Sequence, residues 1–187
     1  MAFNEPAVLT EVIDEILLSI QKSCRDYFLW TRGQIHYGSA NEALLHVTAG
    51  RALFERFAPQ YHATVKLEHK LRDILPGRRG RADLSVSFPD GPTVVIEFKK
   101  HFNDSSIASD LSRLREIVKV PGHIGILAGP CFIRERDQDW VELLARKLDA
   151  SAADLTAHTS DVSLLPVAFQ HPEGYNRSRA ILLRVST

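Results

Sequence analysis

The chain has 187 residues and carries 23 Lys and Arg against 23 Asp and Glu, a formal net charge of zero. With 44% apolar and 25% charged residues, its composition is that of an ordinary globular protein, long enough to bury a core without disulfide or metal staples. No run approaches the ~18 consecutive apolar residues of a transmembrane helix, and the balanced charge argues against binding nucleic acid by bulk electrostatics, though not against a local basic patch. The opening MAFNEPAVLT lacks the basic and apolar regions of a signal peptide. Cys24 and Cys131 fit no zinc or redox spacing, so both are read as reduced thiols of a cytoplasmic protein.

The first 30 residues read as a helix, with Val8, Val12, Ile16, Ile20 and Phe28 on one stripe thickened by Leu9, Ile13, Leu17 and Cys24. Gly33 to Gly38 breaks it. A second helix is predicted from about Ala40 to Ala58, carrying Leu44, Val47, Phe54 and Phe57, and Ser39-Ala40-Asn41-Glu42 has the spacing of a capping box. The pattern then switches to period two. His62–Leu67 is a first strand. In the second, Ala82, Leu84, Val86 and Phe88 alternate with Asp83, Ser85 and Ser87; Pro89-Asp90-Gly91 turns the chain, and Val94–Phe98 reads as a central strand. A helix follows over Ser105–Lys119, with Ile107, Leu111, Leu114, Ile117 and Val118 inward, stopped by Pro121-Gly122. His123–Ala128 is a short strand, Asp137–Leu148 a helix, and strands near Val162–Phe169 and Ala180–Val185 close the chain.

The order α-α-β-β-β-α-β-α-β-β predicts an α/β fold, a mixed central sheet flanked by helices. No linker, repeat or low-complexity tract divides it, so residues 1–38 are taken as an N-terminal helical extension and 39–187 as one domain.

The chemistry-bearing pattern lies in the hairpin. Asp83 near the start of one strand is followed, 14 residues on, by Glu97-Phe98-Lys99 at the end of the next. Glu97 and Lys99 are two apart and share a sheet face; Ile96 and Phe98 take the other. If the loop is the three residues Pro89-Asp90-Gly91, with Gly91 left-handed, then Phe88 pairs with Pro92 and Asp83 sits opposite Glu97, Cβ atoms about 4.5–5.5 Å apart. Two carboxylates that close repel unless a cation lies between them, and hard oxygen donors suit Mg²⁺. The strands are antiparallel, so Arg78, Arg79 and Arg81, entering the first, and Lys99, Lys100 and His101, leaving the second, emerge at one edge. Positive charge beside acidic ligands is what a phosphodiester requires.

Asp83 with Glu97-Phe98-Lys99 at the end of an apolar strand resembles the core of the PD-(D/E)XK nuclease superfamily, the restriction-endonuclease-like fold. The element order from Ser39 to Leu148, roughly 110 residues, is similar to that family's α-β-β-β-α-β core. The resemblance implies an endonuclease in which Asp83, Glu97 and the backbone carbonyl of Phe98 hold Mg²⁺, or Mn²⁺ in its place, with Glu42 as an additional acid, while Lys99 assists the attacking water. It implies nucleic acid as partner, DNA ahead of RNA, met by Arg78, Arg79, Arg81 and Lys100, with no membrane and with specificity coming from loops, a homodimer or a protein partner. Ala82 replaces the family's proline before the aspartate, and the Gln-x-x-x-Tyr of its RecB-like branch is absent from the helix after Lys99.

Other readings of the same residues stand beside these. Glu97 and Lys99 could form a solvated surface pair. Glu42 could be the capping-box partner of Ser39. Glu55 is a reserve acid on the same helix. Arg78, Arg79 and Arg81 could line an ordinary loop. Tyr27, Phe28, Trp30 and Tyr37 could stack on bases or pack a helix end. Glu68-His69-Lys70 repeats the Glu-x-Lys spacing, but no apolar strand leads into it and no Asp precedes it suitably. The first helix could be an oligomerisation arm or a cover for the core, and the whole could be a nuclease-fold module that binds without cutting. No zinc-ligand spacing, P-loop, dinucleotide fingerprint or nucleophile elbow is present.

Overall fold

In a computed structural model the protein is described over residues 5–30, 42–100, 106–133, 154–161 and 177–185. It comprises α1 (Glu5–Trp30), α2 (Ala43–Tyr61), β1 (Thr64–Lys70), a 3₁₀ turn (Leu71–Asp73), β2 (Arg81–Ser87), β3 (Thr93–Phe98), α3 (Ser106–Ile117), β4 (His123–Ile133), β5 (Leu155–Asp161) and β6 (Arg177–Val185). Six strands form one mixed sheet in the order β1-β2-β3-β4-β6-β5. Only β3 and β4 pair in parallel, with α3 as the crossover between them; the other neighbours are antiparallel. The expected α/β sheet between helices is what forms.

The alternation of the strands sorts the core into two layers. Leu84, Val86, Val94, Ile96 and Phe98 face α1 and α2. Val95, Leu127, Ile181 and Leu183 face α3, whose Ile107, Leu111, Leu114 and Ile117 are fully buried as their helical spacing predicts. The α1 stripe is buried in the first layer, from Val8 through Ile20 to Cys24, each Leu or Ile contributing roughly 1.5–3 kcal/mol. Of the two readings of this stripe, the structure shows the cover: it packs against α2, β4, β5 and β6. Burial pushes the Cys24 thiol up to about 12, so it is inert at neutral pH. Among the described residues no helix is long and apolar enough to cross a membrane.

Several expectations shift. The core face of α2 is Leu45, Ala49, Leu53 and Phe57, a strict four-residue repeat; Val47 and Phe54 are exposed and Leu44 half-buried. The helix also runs past Pro59, whose ring fixes φ near the helical value, and stops where the left-handed His62 donates its amide to the Ala58 carbonyl. β4 extends to Ile133, beyond the expected Ala128. A strand at 155–161 was not expected: it is one edge of the sheet, Leu155 and Ala157 pack inward, and its sequence is otherwise polar. The predicted helix at 137–148 and strand at 162–169 lie outside the described residues.

One glycine sets the depth of α3. A Cβ on Gly125 of β4 would stand 3.2 Å from Leu114 Cβ and 3.1 Å from Val118 Cγ1. Its absence lets α3 lie close on the sheet, with Asp110 and Arg113 over β3.

Candidate functional site

The β2–β3 hairpin has the predicted register. Leu84 pairs with Ile96, Val86 with Val94 and Ser87 with Thr93, and the Phe88 amide donates to the Pro92 carbonyl at 3.3 Å. The loop is therefore Pro89-Asp90-Gly91. Gly91 does not adopt the positive φ expected of it; the turn closes instead through the Gly91 amide on the Phe88 carbonyl at 3.2 Å.

At the far end the ladder stops at Leu84 and Ile96. The next donor in line, the Phe98 amide, is taken by the carboxylate of Asp83 at 2.7 Å. The Lys99 amide continues the parallel ladder to the Ala128 carbonyl at 2.9 Å, and the Lys100 amide goes to Glu42 Oε1 at 3.0 Å. Two of the candidate acids are thus fixed to alternate backbone amides at the end of β3, Phe98 and Lys100. Glu42 is the N-cap of α2 and makes no side-chain capping bond. The capping role is not the one the structure gives it; Ser39 lies outside the described residues.

Asp83 keeps its place opposite Glu97 in the register, and its charge acts on Glu97, but simple alternation fails around it. Ala82 joins the α3 layer and Leu84 the α1/α2 layer, so the pleat is broken between them. The neighbouring strand is broken at the matching place: Glu68, which lies across from Asp83, has φ +53°. A left-handed non-glycine residue costs of order 1–3 kcal/mol and persists only where its surroundings hold it. Beyond it His69 turns toward the α3 layer, with Nδ1 2.8 Å from the Ser85 hydroxyl. Asp83 Oδ2 lies 3.4 Å from His46 Nε2 on α2, and the His46 ring stacks on Phe98 at 5.5 Å. His46, Glu68 and Asp83 each offer a ligand atom, all within 4.8 Å of one another.

Glu97 and Lys99 point together toward α3, as predicted. Glu97 is 2% exposed, its Oε1 3.3 Å from Arg113 Nε in an ion pair without hydrogen-bond alignment. Lys99 Nζ is 2.7 Å from Asp110, itself buried and also paired with Arg113. This is not a solvated surface pair. Burial first, then the charge of Asp83, push the Glu97 carboxyl up to about 8 against the pull of Arg113 and Lys99. Burial pulls the Lys99 ammonium down, but Asp110, with Glu42 and Asp83, outweighs it and leaves the pKa above the ordinary lysine value. Glu42, Asp83, Glu97 and Asp110 therefore share one electrostatic neighbourhood with two cations, Lys99 and Arg113.

The basic edge is partly committed. Arg78 pairs with Glu116 on α3 and Arg81 Nη1 lies 3.6 Å from Glu68. Arg79 is exposed and Lys100 half-buried. Arg113 Nη1 donates to the Arg81 carbonyl at 3.4 Å, so the entry of β2 and the exit of β3 do lie together. Of the aromatic group, Trp30 is exposed and Tyr27 packs against the core; the Phe28 side chain and Tyr37 lie outside the described residues. Glu55 is bound to Arg51 on the outer face of α2.

Sequence reasoning missed His46, Glu68, Asp110 and Arg113. Glu68 was set aside because its strand reads as polar, and that strand is the other edge of the sheet. Asp110 and Arg113 had a signal: one acid and one base, three apart, on the side of α3 that also carries its apolar stripe. No family model, no curated protein and no solved structure matches this chain.

Proposed function

We propose that this protein is a metal-dependent nuclease of the PD-(D/E)XK type, hydrolysing phosphodiester bonds with DNA preferred over RNA. The observation that carries the reading is the end of β3, where Glu97 and Lys99 leave the sheet together while Asp83 and Glu42 are tied to the adjoining amides. Support also comes from the order α2-β1-β2-β3-α3-β4, which resembles that family's core, with the acids at the end where the hairpin opens.

The donor set fits a divalent ion. Asp83, with Glu68 and His46, would hold it, and Glu42 adds negative charge close by. Carboxylates alone suit Mg²⁺; an imidazole in the set tilts the preference toward Mn²⁺. When bound, such an ion lowers the pKa of water and screens phosphate charge. The protein's own residues do the rest. The Phe98 amide orients Asp83. The Lys99 ammonium, held cationic, aligns a water or stabilises the charge that develops on the phosphoryl oxygens. Arg79 and Lys100 supply positive charge along the backbone path.

The test is to incubate the purified protein with varied DNA and RNA substrates and Mg²⁺ or Mn²⁺, with EDTA as control. Cleavage that survives EDTA, or that is unaffected by Asp83→Ala and Lys99→Ala, would falsify the assignment. A second reading, a nuclease-fold module that binds without cutting, is favoured by one observation: Lys99 and Glu97 already have partners on α3. Tight metal-independent binding with no turnover would establish it instead.

A further inference from the structure

β3 presents an acid and a base two residues apart, Glu97 and Lys99, on the face under α3. The helix presents the reverse pair one turn apart, Asp110 and Arg113. The crossing is complementary at both points: Lys99 Nζ stands 2.7 Å from Asp110, and Arg113 Nε 3.3 Å from Glu97. Asp110 and Arg113 also pair with each other, and the guanidinium is further tied to the Arg81 carbonyl. Asp110 is 4% exposed.

Packing does not call for these charges. α3 already buries Ile107, Leu111, Leu114 and Ile117, and a buried ion pair is usually no more stabilising than well-packed apolar residues of similar volume. Packing alone therefore does not account for four ionisable groups gathered here. A long, flexible lysine fixed at one point, beside a carboxylate fixed at another, is what a reaction needing sub-ångström placement demands.

We propose that Asp110 and Arg113 are positioning residues, Asp110 for the Lys99 ammonium and Arg113 for the Glu97 carboxylate. Their chemical purpose rests on the nuclease reading above; the holding itself does not. α3 thereby acts as the clamp that sets the Glu97-x-Lys99 geometry, and the i,i+3 spacing on the helix matches the i,i+2 spacing on the strand.

The experiment has two arms on the full chain. In the first, the nitrogen–proton spectrum of the lysine ammonium groups is recorded, with the Lys99 signal identified by its loss in Lys99→Arg. The wild type shows a slowly exchanging Lys99 signal, and Asp110→Asn abolishes it while the backbone amide spectrum keeps its dispersion. A Lys99 signal unchanged in Asp110→Asn overturns the proposal. Should Asp110→Asn not fold, Asp110→Glu keeps the charge but moves it by one methylene; the signal then shifts and exchanges faster, and an unmoved signal overturns the proposal equally. The second arm is a kinetic cycle with Mn²⁺ and DNA. Asp110→Asn lowers kcat roughly a hundredfold with KM little changed, and Asp110→Asn with Lys99→Gln is no slower than Lys99→Gln alone. Losses that multiply would make Asp110 merely structural. Arg113→Lys recovers part of the rate that Arg113→Gln loses; equal losses remove Arg113 from the clamp. A wild type that cuts nothing sinks the nuclease reading but leaves the first arm to decide the clamp.

Discussion

The β2–β3 hairpin has two unlike ends. At the turn, Val86, Val94 and Phe88 pack into the α1/α2 layer and the ladder is regular down to the Phe88–Pro92 bond. At the other end, five residues along from Phe88, the ladder opens at Asp83, the neighbouring strand kinks at Glu68, and buried charges replace apolar side chains. The apolar end holds the sheet together. The charged end is where local rules are broken, and such breaks concentrate at working sites.

Substitutions should separate the two ends. The largest effect is expected from Asp83→Asn. The amide oxygen can still accept from Phe98, so the melting temperature stays near that of the wild type, while cleavage falls roughly a thousandfold, about 4 kcal/mol of transition-state stabilisation. A large drop in melting temperature would show that Asp83 serves the fold. Leu53→Ala reverses the pattern. It empties a fully buried site in the α1/α2 layer and should cost roughly 3 kcal/mol of stability by denaturant titration, with kcat per folded molecule unchanged.

Glu97→Gln sharpens the contrast through pH. The folded carboxyl titrates at about 8, above its ordinary 4.5. The folded state therefore binds the extra proton between those values. The contribution to stability is fully present below the unfolded pKa and is lost as pH rises through the folded one. Without added metal, the wild type should lose on the order of 4 kcal/mol between pH 5 and pH 9. Glu97→Gln should lose much less, and parallel curves for the two would refute the assignment. The smallest effect belongs to Arg79→Ala, at an exposed position. Stability should stay within about 0.5 kcal/mol, while the salt slope of DNA binding drops by about 0.9 if the side chain meets one phosphate.

Much of the regular end was legible in the chain. The parity of Pro89-Asp90-Gly91 gave the register, and the spacing of Ile107, Leu111, Leu114 and Ile117 gave the face of α3. The shared face of Glu97 and Lys99 followed from period two. The surroundings of Asp83 did not, because alternation assumes an unbroken pleat, and the break comes from contacts with α2 and β1 that are remote in sequence. For the same reason Glu68 reads as a decoy until β1 lies beside β2. Asp110 and Arg113 interrupt the apolar side of α3, but what they meet there appears only once α3 settles over β3 on Gly125. β5 was missed because an edge strand needs only one apolar face, and here that face is two residues wide.

Calorimetric titration of Mn²⁺ into the wild type and Asp83→Asn tests the central claim most directly, that the open end of the hairpin is built around a cation. One ion should bind the wild type at neutral pH, and the heat should vanish in Asp83→Asn at an unchanged melting temperature. No binding by the wild type, or equal binding by both, would contradict it.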